Sequence, residues 1–165
     1  MLPVGSMSQP GSFATLIVEG APAAGRGHLG SFDEICSLAK TLKALFREGV
    51  PGGSGLPAKV RVSSIGLIPA ARIEILIPAE EVGAARSVLD AVGRCIDAAL
   101  DPDDMEATAA DRRMAGVLAA LLAGSGWDSV RIARREGDWE AQVVVVPAEL
   151  GPALSAIMPP PTPGD

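Results

Sequence analysis

The chain has 165 residues and a formal net charge of −6, with 48% hydrophobic, 21% charged and 3% aromatic residues. That length and apolar content build one core-bearing domain, so a disordered chain is excluded. The acidic balance repels phosphate backbones, and two Trp, three Phe and no Tyr leave little to stack on bases, which argues against nucleic acid as a partner.

No apolar run approaches the roughly 20 residues that span a bilayer. Met1–Ser12 carries no basic residue and no apolar stretch of signal-peptide length, so the protein reads as cytoplasmic. Arg outnumbers Lys 11 to 3 and Ala, Gly and Pro are abundant, a usage that reads as bacterial. The Met1–Ser12 segment, in which Gly5-Ser6-Met7 reads as an expression-vector remnant or an upstream start before Met7, is read as disordered or vector-derived and outside the fold.

Phe13–Glu19 is short, β-branched and bounded by Gly and Pro, which predicts a first strand. A Gly- and Ala-rich loop follows from Gly20 to Gly30. Ser31 and Glu34 then have capping-box spacing. Ile35, Leu38, Leu42, Leu45 and Phe46 recur at helical spacing, with Lys40, Lys43 and Arg47 opposite, and Gly49 closes the helix. Lys59–Ser63 and Arg72–Ile77 alternate as strands on either side of a turn at Ile68–Ala71. Pro78 opens a helix to about Leu100, with Val82, Ala85, Leu89, Val92 and Ile96 as its apolar stripe.

Asp101-Pro-Asp-Asp predicts the start of a third helix, with Asp101 as N-cap and Pro102 as first residue, running to about Ala123. Ser129–Ala133 and Trp139–Val146 are strands joined at Gly137-Asp138. Pro147 begins a last short helix, and 159–165 is a Pro-rich disordered tail.

The pattern implies an α+β fold: an antiparallel sheet of about five strands packed with helices. The first β-α-β-β-α run resembles most of a ferredoxin-like unit. A repeat is also predicted within the single domain of residues 13–158. Val60-Arg-Val62 and Val130-Arg-Ile132 precede Pro78-Ala-Glu and Pro147-Ala-Glu at nearly equal distances. The reading is helix–strand–strand–helix twice, over about 31–100 and 101–158.

Few residues point to chemistry. Cys36 and Cys95 both fall in helical patterns and read as small buried apolar groups rather than a disulfide or nucleophile. With His28 the only histidine, neither a Cys–His or Ser–His–Asp site nor a four-ligand zinc site can be assembled, so no catalytic residue, metal ligand or cofactor is assigned. Gly20–Gly27 superficially resembles a Walker A loop but has Arg26 for the lysine and Gly27 for the hydroxyl. What remains is an anion site at a helix start, formed by Gly25, Arg26, Gly27 and His28. The acids from Asp97 to Asp111 read as a helix cap and a solvated face.

The last expectation is association. Apolar residues fall on both faces of several strands, so Leu16, Val18, Leu76, Val144 and Val146 are read as an exposed face that binds a protein partner or a second copy as a homodimer. The function this implies is a non-catalytic adaptor, regulatory subunit or chaperone-like interaction module. The alternatives are a small-molecule or anion-binding regulator or enzyme using the Gly20–Gly30 loop, and a structural subunit of a larger assembly.

Overall fold

The structure is a computed structural model, described here for residues 14–22, 31–50, 61–67, 71–78, 81–123 and 127–158. The strands are β1 (Ala14–Pro22), β2 (Arg61–Gly66), β3 (Arg72–Ile77), β4 (Trp127–Glu136) and β5 (Trp139–Pro147). The helices are α1 (Phe32–Gly49), α2 (Val82–Leu100), α3 (Ala109–Ala123) and α4 (Gly151–Ile157), the last preceded by a 3-10 turn at Ala148–Leu150. The expected five-stranded antiparallel α+β architecture is what the chain adopts, in the order β2-β3-β1-β4-β5. The predicted terminal segments 1–12 and 159–165 lie outside the described residues.

β1 occupies the centre and is paired along both edges, with β3 on one side and β4 on the other. Register fixes which residues share a face, because side chains alternate with period two. One cross-strand row reads Val62, Ile75, Leu16, Arg134, Gln142, and the next Ile65, Ile73, Val18, Ile132, Val144. These rows face the helices. Leu16, Ile75, Ile132 and Val18 are buried there beside Leu38, Leu45 and Phe46 of α1, Val88 and Leu89 of α2, Met114 and Leu118 of α3, and Leu154 of α4. Each large side chain so buried contributes about 1.5–3 kcal/mol. α1 and α2 lie on the sheet, and α3 packs against both of them and against α4.

Local signals explain most boundaries. Ser31 and Glu34 form the predicted capping box, with Ser31 N–H donating to Glu34 Oε1 (2.7 Å) and Glu34 N–H to Ser31 Oγ (3.1 Å). Gly137 has φ of 63° in the β4–β5 turn, where a residue without Cβ is favoured.

Three expectations are corrected. The third helix does not start at Asp101. Residues Asp101–Met105 form a turn in which Met105 N–H donates to the Asp101 carbonyl (3.0 Å), and α3 begins after a reciprocal cap between Thr108 and Asp111. β1 runs past Gly20, because Trp127 of β4 lies over that residue and fills the space of a Cβ. The helix–strand–strand–helix duplication does not fit the topology. Adjacent strands are antiparallel throughout, so β2 and β4 run in opposite directions. β3 and β5 nevertheless lie on the same side of them in the strand order. Turned so that their first strands point the same way, the two hairpins carry their second strands on opposite sides. With both helix sets on one sheet face, they cannot superpose. The two Pro-Ala-Glu junctions also differ: Pro147 caps a 3-10 turn that contains Glu149, whereas α2 begins only at Val82, four residues after Pro78, with no acid in its first turn.

The Gly20–Trp127 contact gives a direct test. Gly20→Ala places a methyl inside the indole and is expected to lower stability by about 1–3 kcal/mol in chemical denaturation. The added methyl should be tolerated better when Trp127 is replaced by Leu.

Candidate functional site

The helices cover one face of the sheet, and no described helix packs on the other. Register again assigns its residues. Arg61, Leu76, Thr15, Arg135 and Glu140 form one row, Ser64, Glu74, Ile17, Ala133 and Val143 the middle row, and Gly66, Arg72, Glu19, Arg131 and Val145 the third. Along β5, an extra residue, Ala141, interrupts the ladder, since Arg134 pairs with Gln142 but Arg135 with Glu140. This bulge brings Glu140 onto the same face as Val143 and Val145, where its carboxylate meets the Arg131 guanidinium.

Two ion-pair groups cross this face. Glu74 is bonded by both Arg72 and Arg135, and its side chain is only 10% exposed. Arg131 joins Glu19 (3.2 Å) and Glu140. Its guanidinium pKa is pushed above the ordinary value by the hydrogen bond to Glu140 first, with Glu19 adding to the effect and burial opposing it. Between the two groups lie Ile17, 2% exposed, and Ala133. Towards β5 the face becomes apolar and open, with Val143 at 43% and Val145 at 50% exposure. β5 is nine residues long, and no described strand pairs with its outer edge.

The five residues predicted to form an interaction face do not share one. Leu16, Val18 and Val146 are fully buried in the core, and Val144 packs against it from the helix side. Only Leu76 lies on the open face, in the row of Thr15 and Arg135. The physical reason is parity. Val143–Val146 is uniformly apolar, so its sequence does not mark which residues face the helices; the register with β4 does. The predicted anion site, Gly25, Arg26, Gly27 and His28, lies outside the described residues.

A second surface, unread in the sequence, runs between α1 and α3. It is an open groove of about 550 Å³. Its floor is Thr41, Ala44, Val117 and Leu121; Lys40, Arg47, Glu48 and Arg113 stand around it. Glu48 accepts hydrogen bonds from Arg47 (3.1 Å) and Arg113 (2.9 Å), which ties the end of α1 to the start of α3. The signal was present as a second stripe, because Ser37, Lys40, Thr41, Ala44, Arg47 and Glu48 repeat at 3-4 spacing beside the core stripe.

The cysteines differ from each other. Cys36 is exposed, contrary to its reading as a buried group, and Cys95 is buried. Burial first, and then the nearby Asp111 charge, push the Cys95 thiol up to about 12. Cys95 Sγ–H donates to the Asp111 carbonyl (3.4 Å). Among the described residues no three His, Cys, Asp or Glu side chains converge as metal ligands, and no helix is long and apolar enough to cross a membrane. Comparisons of the chain with protein-family models, with curated proteins and with solved structures find no match.

Three measurements follow from this geometry. Glu74→Gln, which leaves two guanidinium groups facing a neutral amide, is expected to cost about 1–3 kcal/mol. Glu19→Gln, on a more exposed pair, should cost below about 1 kcal/mol, and added salt should shrink that cost further while leaving the Glu74→Gln cost nearly unchanged. For the thiols, Cys36 should react with a disulfide reagent in the native protein and Cys95 only after unfolding. Because the folded pKa of Cys95 is raised, its contribution to stability is complete below pH 9. It falls as pH rises from 9 towards 12, a loss that Cys95→Ala should remove from the pH–stability profile.

Proposed function

We propose that the protein is a non-catalytic interaction module that associates with a second copy of itself through β5 and the adjoining open sheet face. The observation that carries this reading is the outer edge of β5, a nine-residue, largely apolar strand with which no described strand pairs on that side. An edge of this length presents backbone N–H and C=O groups ready to pair with another strand. The half-exposed Val143 and Val145 stand beside it.

A two-fold axis through Val144, normal to the sheet, brings two β5 strands together antiparallel. Val143 of each copy then faces Val145 of the other, and the two sheets join into one of ten strands. Such an interface is self-complementary, as the commonest dimers are. The ion pairs of Arg72, Glu74 and Arg135 lie on the inner strands, so pairing at β5 leaves them in place. The other readings of the sequence are not favoured by a described residue: the anion-binding loop lies outside those described.

Light scattering over a range of concentrations tests the proposal. The wild type is expected to be a dimer. Val143→Asp and Val145→Asp should each weaken it roughly tenfold or more, the usual effect of losing an apolar contact at an interface centre. Both positions are exposed in the single chain, so the variants should keep the wild-type melting profile measured in dilute solution. Val144→Asp should instead destabilise the fold, because Val144 packs against the core. At high salt, a wild type that stays monomeric at high concentration, or Asp variants that remain dimeric, would defeat the reading.

A further inference from the structure

The groove between α1 and α3 has chemistry that asks for a particular occupant. Its floor is apolar and its surround is cationic: Lys40, Arg47 and Arg113 stand against the single acid Glu48, which is shared between the two arginines. The whole chain carries a net charge of −6, so this is a local reversal of sign. Lys40 is exposed and lies two helical turns from the Arg47–Glu48 end of the groove.

Elsewhere the same chain holds an element of opposite character. α2 ends at Leu100, a large apolar side chain left 61% exposed. Asp97 precedes it by three residues, on the same side of the helix, and Asp101, Asp103, Asp104 and Glu106 follow it. All five acids are exposed. The segment is also held in shape. Asp101 N–H donates to the Asp97 carbonyl (3.0 Å), Asp104 and Met105 N–H donate to the Asp101 carbonyl, and Met105 and Ala107 pack against the core. An exposed leucine in a fixed acidic turn is an apolar knob ringed by carboxylates.

We infer that the groove between α1 and α3 receives the acidic turn after α2 from a second copy of the chain. Leu100 enters against Ala44, Val117 and Leu121, and the carboxylates of Asp101, Asp103 and Asp104 meet Lys40, Arg47 and Arg113. The floor supplies apolar burial and the charges fix orientation and partner choice. The turn is already ordered in the single chain, so little conformational freedom is lost on docking. Because knob and groove are different surfaces, this contact is head-to-tail. Repeated, it closes a ring or continues as a filament, in contrast to the self-complementary pairing at β5. The inference does not rest on that pairing.

The test uses the full chain carrying Val143→Asp and Val145→Asp, in which association reports surfaces other than β5. Sedimentation velocity at low ionic strength is expected to show concentration-dependent growth that high salt suppresses, since the rim contacts are screenable. Lys40→Glu on the groove, and Asp103→Lys with Asp104→Lys on the turn, should each weaken association roughly tenfold or more. Mixing the groove variant with the turn variant should restore it. Leu100→Ala and the groove-blocking Ala120→Glu give the same loss through the apolar contact; Leu100 and Ala120 are both exposed, so folding is spared. Association unchanged by both the groove and the turn variants, no association at any salt, or failure of the charge-reversed pair to recover overturns the inference. If β5 pairing itself is wrong, wild type and the double-Asp background associate alike while the groove and turn effects remain.

Discussion

β1 is hydrogen-bonded along both edges, and its two faces meet different surroundings. Leu16 and Val18 point into the helices, Ile17 and Glu19 away from them. That alternation passes through the ladder to every other strand, so the register of one central strand decides what is core and what is surface across the whole sheet. β3 and β4 inherit it directly, and β2 and β5 through them. The ion pairs depend on it too: Glu74 stands between Arg72 and Arg135 because Ile17 aligns Glu74 with Ala133 across the sheet centre. A one-residue slip of β1 would put Glu19 under the helices and Leu16 in water.

The same constraint explains which parts of the fold were readable from sequence. Helices with a clean 3-4 stripe and a strong start, such as α1 behind Ser31, were legible residue by residue. α3 starts later than its sequence suggests because Asp101-Pro102 is an attractive start, whereas the working cap is the weaker Thr108–Asp111 pair, whose apolar stripe begins only at Met114. β1 was cut short at Gly20, since a glycine at a strand end reads as a turn unless the covering Trp127 is known. The architecture was recoverable because it depends on element type and order alone. The duplication was not, because it depends on strand direction and sidedness, which short repeated segments do not encode.

The surfaces were less legible than the core. An all-valine run leaves the two faces of β5 indistinguishable, and the bulge at Ala141 changes the parity within the strand, carrying Glu140 to the face of Val143. Only pairing with β4 resolves this. The groove between α1 and α3 is hidden in the sequence for a different reason. Lys40, Arg47 and Arg113 look like ordinary solvated charges in sequence, and become a cationic rim only when two helices distant in the chain lie side by side.

The strand order has a consequence for how the chain is built. β1 pairs with β4 across a long interval; Glu19 and Arg131, joined by an ion pair, are 112 residues apart. β3 is the nearer partner and can close its ladder first, leaving the other edge of an apolar strand open until the second hairpin has been synthesised. Loop closure over that distance must be completed before the contacts that reward it form, which makes folding slow relative to a helical bundle of equal size. During translation, Leu16, Ile17 and Val18 form an incomplete sheet edge for several seconds at ordinary ribosome speeds of roughly 5–20 residues per second. The pairing of β4 with β1 therefore closes a long loop, and it completes the second edge of the central strand.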